Sequence, residues 1–211
     1  MRFPRFITLP LALFITVTAQ AQTTKSEYLN WIKIAADAGW ADYQPSIERW
    51  KKAPNHHELW GYDSPGGPIY LADLLGYLYQ ETRDRSYAEN PKEMQAKRLE
   101  YSEGVPAISN FFIMPPYARA YMRIRESGAL DAKTKAKIEE ALAVSLDFIF
   151  RLPEWGAHNR AMLRAESLAY GATALSHHPH SARWIQLAET LASDSLKQWE
   201  IEDATGYHGV W

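Results

Sequence analysis

The chain has 211 residues with no cysteine, and its 23 Lys and Arg against 25 Asp and Glu leave a formal charge of -2. The absence of cysteine excludes disulfides, thiolate nucleophiles, cysteine-bound zinc and a lipid anchor on cysteine, and without a concentrated basic run nothing favours a nucleic-acid partner. The 8 Trp and 12 Tyr are abundant; most serve a core, but rings beside polar groups also stack on the C–H faces of sugars.

Residues 1–21 read as a secretory signal. Arg2 and Arg5 give a positive start, Phe6 to Val17 is largely apolar, and Ala19-Gln20-Ala21 has the small-x-small form that signal peptidase accepts. The apolar run of about a dozen residues falls short of the ~20 that a spanning helix needs. Cleavage after Ala21, export to a bacterial periplasm or the medium, and no membrane insertion afterwards are expected. The remaining residues, 22–211, suit one ordinary domain.

Helical spacing dominates that domain. Tyr28, Leu29, Ile32, Ala35 and Ala36 mark a first helix, with Gly39 placed to end it. Residues 53–68 are rich in glycine and proline and read as a structured loop. Leu71, Leu74, Leu75 and Leu78 line one face of the next helix, and 86–102 reads as a charged surface connection, partly helical. The apolar run Ala107 to Met114 is expected to be broken by Pro115-Pro116, with helix resuming from Tyr117. A further helix starts near Asp131 with Ile138, Ala141, Leu142, Ser145, Leu146 and Ile149 as its buried stripe. The last two helices span 157–175, lined by Ala161, Ala165, Leu168, Ala169 and Ala172, and 181–199, with Trp184, Leu187, Ala188, Leu191 and Ser195. No stretch reads as a strand. The small residues of 157–175 let neighbours approach on several sides, which makes it an inner helix, and 181–199, apolar on one face only, an outer one. Alternating inner and outer helices predict an all-α fold, an incomplete (α/α)-toroid of helical hairpins.

Two polar clusters flank the last hairpin. Trp155-Gly156-Ala157-His158-Asn159-Arg160 opens the inner helix, where unpaired backbone N–H groups welcome a carboxylate. Asn159 is placed to donate its amide, His158 to donate or take a proton, and Arg160 or Arg164 to add charge. The plainer reading makes Asn159 a cap, pairs Arg160 with Glu154 or Glu166, and leaves His158 as filling. The second cluster, Tyr207-His208 with Trp211, follows a turn at Gly206 and offers a base or acid. Trp211 falls within this cluster, so the domain 22–211 is expected to be truncated at its C-terminal side.

Lesser candidates lie elsewhere. Trp60 and Tyr62 on the early loop suit a sugar-contacting rim; His56, His57 and Glu58 beside them are adjacent in sequence rather than on one helical face, so no metal site is expected. His177, His178 and His180 read as a solvated helix-hairpin tip. Asn110, Tyr117 and Tyr121 flank the proline pair, where a helix opens toward a groove, and Tyr117 is taken as a substrate contact. Asp203 and Glu154 are the carboxylates available for hydrolysis.

The run Trp155 to Ala161, the hairpin after it and Ile201-Glu202-Asp203-Ala204-Thr205-Gly206-Tyr207 together resemble the helical domain of the (α/α)-toroid polysaccharide lyases, the heparinase, chondroitin AC and alginate lyase group. The similarity is clearest over residues 105–211. It implies an exported lyase that cleaves an acidic, uronate-containing polysaccharide by β-elimination and needs no cofactor. Carried over by position, Asn159 neutralises the uronate carboxylate with His158 and Arg160 assisting, Tyr207 or His208 carries the proton, and Trp155, Trp211, Trp60, Tyr62 and Tyr117 contact sugar. Two alternatives stand beside it: a toroid glycoside hydrolase acting on unsaturated uronyl oligosaccharides, and a periplasmic glycan-binding protein without catalysis.

Overall fold

The structure, a computed structural model, describes residues 24–52, 67–99, 106–156 and 159–204. Within them lie seven helices and no strand: α1 (Lys25–Lys52), α2 (Gly67–Thr82), α3 (Ser86–Leu99), α4 (Met114–Ile124), α5 (Ala132–Arg151), α6 (Asn159–Ala174) and α7 (Ser181–Ala204). The signal segment lies outside the described residues. No described helix is long and apolar enough to cross a membrane.

Local chemistry sets the helix starts. The Thr24 hydroxyl accepts from the Glu27 N–H at 3.2 Å while the Glu27 carboxylate accepts from the Thr24 N–H at 2.8 Å, a reciprocal capping box. Asp131 caps α5 by accepting from the Thr134 N–H at 2.7 Å.

Three expectations change. Gly39 does not end α1, which runs on through Pro45 to Lys52. The residue is small for another reason: a Cβ there would stand 3.0 Å from a Leu71 methyl, so glycine admits α2. Pro115-Pro116 does not break a helix either; the pair occupies the first turn of α4, where the missing N–H is unneeded and the fixed φ already suits the helix. Ala107 to Ile113 is a series of turns leading into it. The charged 86–102 segment is more than a surface connection, because α3 buries Tyr87, Ala88, Pro91, Met94 and Gln95.

The apolar stripes of α5, α6 and α7 are largely buried, with Ala141, Ala169 and Leu187 at their margins, whereas Tyr28 and Ala35 of the α1 stripe are exposed. Ile138, Leu142, Ser145, Leu146 and Ile149 of α5 are buried, as are Ala161, Ala165, Leu168 and Ala172 of α6 and Trp184, Ala188, Leu191 and Ser195 of α7. Burying each large aliphatic chain contributes about 1.5–3 kcal/mol. Small residues decide the closest approach: a Cβ on Gly171 would collide with the Leu146 side chain, so α6 lies tight against α5.

Six of the seven described helices form two rows, and α1 packs on α2. α2 packs on α4 and α4 on α6, while α3 packs on α5 and α5 on α7 behind them. Contacts along the first row rise together in number. Tyr70 meets Phe112 and Asp73 meets Arg119 between α2 and the α4 side. Between α4 and α6, Arg160 lies over Phe111, Arg119 meets Glu166, and Arg125 reaches the Ala174 carbonyl. The three helices therefore run parallel, and their N-terminal ends share one rim.

Candidate functional site

Asn159 is the first residue of α6 and is exposed at that rim. Arg160 beside it is also exposed, but its guanidinium pairs with Glu154 at 2.5 Å and lies 5.7 Å over the Phe111 ring. Of the two structural partners open to Arg160, the protein uses Glu154. That pairing also engages Glu154, one of the two carboxylates nominated for hydrolysis. Trp155, 45% exposed, stands on the same approach to α6. His158, Tyr207, His208, Trp211, Trp60 and Tyr62 lie outside the described residues, as do His56, His57 and Glu58; Asp203 is described only as backbone of α7.

Arg164 is not a substrate-facing cation. It is buried, with Nε donating to the Ile149 carbonyl at 3.0 Å, Nη2 to Phe150 at 2.7 Å and Nη1 to Glu154 at 2.6 Å. A helix leaves its last carbonyls without intrahelical partners, and this guanidinium satisfies those at the end of α5.

Tyr117 is likewise a core residue rather than a sugar contact. Its side chain is wholly buried, its hydroxyl donates to the Gln95 carbonyl at 3.2 Å, and the Gln95 amide donates back to the Tyr117 carbonyl at 3.0 Å. Burial holds the phenol far above its usual pKa, so it keeps its proton throughout the physiological range and does not serve as a base. Tyr121 donates to Glu139, and the Asn110 side chain accepts from the Phe112 N–H at 2.8 Å, bracing the turn before α4. None of the three opens a groove.

Sequence reasoning passed over the larger assembly, which lies on the α2, α4 and α6 row. Tyr70, Asp73 and Tyr77 come from α2, Arg119 and Arg123 from α4, and Glu166 and Tyr170 from α6. Arg119 sits between two carboxylates, 2.8 Å from Asp73 and 3.0 Å from Glu166, with its guanidinium 4.8 Å from the Tyr170 ring centre. Arg123 also pairs with Asp73, donates to its carbonyl at 2.6 Å, and lies 5.4 Å over Tyr77. Burial opposes the Arg119 charge, but Asp73 through its hydrogen bond and charge, and then Glu166, outweigh it and raise the pKa. Tyr70 has its hydroxyl fixed on the Phe112 carbonyl at 2.7 Å while its ring remains 51% exposed. Burial of the hydroxyl, followed by the nearby Glu166 charge, raises its pKa.

A sequence signal for this face existed. Asp73 and Tyr77, Arg119 and Arg123, and Glu166 and Tyr170 are each spaced i, i+4, the spacing that puts two side chains on one side of a helix. Polar residues at helical spacing read as a solvated face on each helix alone. Only the parallel row joins three such faces into one.

Two further features complete the surface. A shallow groove of about 400 Å³ runs between α6 and α7, lined by Met162, Ala165, Ala169, Ile185, Ala188 and Ala192, with Glu166 and Glu189 on its edges. The histidine turn is exposed at Ser176, His177 and Pro179, as expected of a hairpin tip, but His178 stacks on Trp184 at 4.8 Å and His180 lies 3.3 Å from Asp147. Among the described residues no group of three or more His, Asp or Glu side chains is arranged to hold a metal.

No protein-family model, no curated protein and no solved structure matches this chain.

Proposed function

We propose that the chain is an exported polysaccharide lyase acting on a uronate-containing glycan, with the α2, α4 and α6 row as the inner layer of an (α/α)-toroid. The observation that carries the reading is the exposed Asn159 at the start of α6, on a rim continuous with an aromatic and ionic face. The parallel order of α2, α4 and α6, with α3, α5 and α7 behind, supports the toroid layering. The signal-like residues 1–21 support export to the periplasm or the medium.

The chemistry has one central requirement. The proton on C5 of a uronate is weakly acidic while the adjoining carboxylate is ionised, and donors close to that carboxylate stabilise the charge that develops as the proton leaves. Asn159, beside the N–H groups at the start of α6, is the donor in this reading. Arg160 assists at one remove, because Glu154 already offsets its charge. The C5 proton passes to a base, the electron pair forms the C4–C5 double bond, the C4–O bond breaks, and the departing oxygen takes a proton. Tyr207 or His208 carries the proton in the resemblance to toroid lyases, with His158 as a further donor.

Incubating the protein with alginate, glucuronan and glycosaminoglycans while following the ultraviolet absorbance of a 4,5-unsaturated uronate tests the proposal. Absorbance that grows with time supports elimination, and its loss in Asn159→Ala supports the neutralising role. Cleavage without that absorbance establishes hydrolysis instead. Affinity without cleavage establishes a binding protein, a reading that the Tyr70, Arg119 and Tyr170 face favours in its own right.

A further inference from the structure

Two apolar stripes run along α1, and among the described residues only one of them meets the rest of the protein. Ala36 and Tyr43 are buried, with Ile32 and Trp40 partly buried beside them, on the side where Gly39 admits Leu71 of α2. Tyr28, Trp31, Ile34, Ala35, Ala38 and Ala41 lie about 140° round the helix axis from that side, and all six are exposed. Tyr28 is 53%, Trp31 61% and Ile34 60% exposed. A surface helix ordinarily keeps one apolar face for its core and a polar face for water, so a second apolar stripe calls for a second neighbour.

The order of side-chain sizes says what that neighbour is. Tyr28, Trp31, Ala35 and Ala38 recur at i, i+3, i+7 and i+10, the heptad spacing of helices that pair along a seam. Bulky residues fill the N-terminal half of the stripe and alanines the C-terminal half. Against a parallel copy of the same helix, rings meet rings and the alanines leave a void. Against an antiparallel copy, Trp31 of each chain lies over Ala35 of the other and Tyr28 over Ala38, so each large side chain has a small one opposite it. The exposed parts of Tyr28 and Trp31, with Ile34 and the three alanines, offer roughly 450–500 Å² a copy, or about 1,000 Å² for the pair, the lower bound for a specific interface. Glu27 and Asp42 border the stripe and it carries no Lys or Arg, which disfavours an anionic lipid surface.

We propose that the exposed stripe of α1 is a self-association surface, through which two copies of the chain pair by antiparallel α1 helices about a two-fold axis. Both copies use the same patch, so the contact closes at two. α1 packs on α2, at the end of the α2, α4 and α6 row away from α6, and the pairing therefore leaves the Asn159 rim open in each copy. It does not depend on what that rim binds.

Sedimentation velocity of the full chain from about 1 to about 100 μM tests this, since an interface at the lower bound of area gives a dimer that dissociates in about the micromolar range. Trp31→Ala and Ala35→Trp each weaken the dimer about ten-fold or more. The two together exchange large for small across the seam and restore association to within about three-fold of the unaltered chain. All these positions are exposed, so circular-dichroism melts stay unchanged and separate lost pairing from lost folding. The chain has no cysteine, so a spin label on Ser26→Cys reports direction: antiparallel helices set the two labels about 20 Å apart along the axis, and parallel ones leave only the ~10 Å between axes. A chain that stays monomeric throughout overturns the proposal, and co-sedimentation of that monomer with phosphatidylcholine vesicles assigns the stripe to a lipid surface instead. A dimer that Trp31→Ala leaves intact also overturns it. Labels about 10 Å apart, or a double variant no stronger than its parents, overturn the antiparallel pairing of Trp31 with Ala35.

Discussion

The Arg164 guanidinium donates to the Ile149 carbonyl at 3.0 Å from inside the protein, and through Phe150 and Glu154 it ties the start of α6 to the end of α5. Replacing it with methionine keeps the apolar stem and takes the guanidinium donor from three carbonyls, of which Ile149 retains the Leu152 N–H as a partner. Bonds from a charged donor contribute about 1.5–3 kcal/mol each, offset here by the cost of burying the charge, so a net loss of about 3 kcal/mol is expected. Urea denaturation of Arg164→Met measures it. A stability equal to that of the unaltered protein would show that the guanidinium is not the cap of α5.

Gly171 and Leu146 give a second test of the same junction. Alanine at 171 forces its Cβ into the Leu146 side chain, and overpacking of this kind costs about 1–3 kcal/mol. Leu146→Ala alone opens a cavity and costs about 2–5 kcal/mol. In the double variant the new methyl enters the space that the leucine vacates. The combined loss should therefore be smaller than the sum of the two, with a coupling of at least about 0.5 kcal/mol. Strict additivity in denaturant melts would place Gly171 away from Leu146.

The extent to which this arrangement was legible beforehand follows from what each signal depends on. The stripe Ile138, Ala141, Leu142, Ser145, Leu146 and Ile149 depends only on periodicity within one helix, and all but the half-buried Ala141 are buried. Asp131 depends on a side chain bonding three residues ahead, also a local matter. Gly39 and Pro115-Pro116 were misread because glycine and proline have two roles each. Which role applies is set by Leu71 across the helix pair in one case and by the turns before α4 in the other. Arg164 and Tyr117 carry functional groups that serve catalysis and core hydrogen bonding equally well, and only burial separates the two uses. The Asp73, Arg119 and Glu166 network joins residues from three helices, so no window along the chain contains it.

The histidine turn carries a pH dependence whose sign follows from its surroundings. Burial against Trp184, and then the neighbouring His180, lower the His178 pKa, with Asp147 opposing and His177 and Arg183 adding slightly. A pKa lower in the folded than in the unfolded state means that the unfolded chain binds the proton more readily. The stability from a neutral His178 is therefore fully present above the unfolded value of about 6.5 and is lost as pH falls from there through the folded value. His178→Phe retains a ring to stack on Trp184 and has nothing to protonate. Denaturation midpoints compared at neutral and mildly acidic pH should fall less in this variant than in the unaltered protein. An identical fall would assign the acid sensitivity to other groups.

Tyr117 separates the core from the exposed face of α2, α4 and α6. Its hydroxyl and the Gln95 carbonyl are both buried, so Tyr117→Phe removes one donor and leaves that carbonyl short of a partner, at a cost of about 1–2 kcal/mol. The ring itself remains and fills the same volume, so the α3 and α4 packing is retained. Because the phenol faces Gln95 rather than solvent, the loss should be seen in the denaturation midpoint and not in glycan affinity measured by calorimetry. Tyr70→Ala should behave in the opposite way, since its ring is half exposed and its main contact is the hydroxyl on Phe112. If Tyr117→Phe weakened glycan binding at full stability, the hydroxyl would have to reach ligand, and the core assignment of this tyrosine would be wrong.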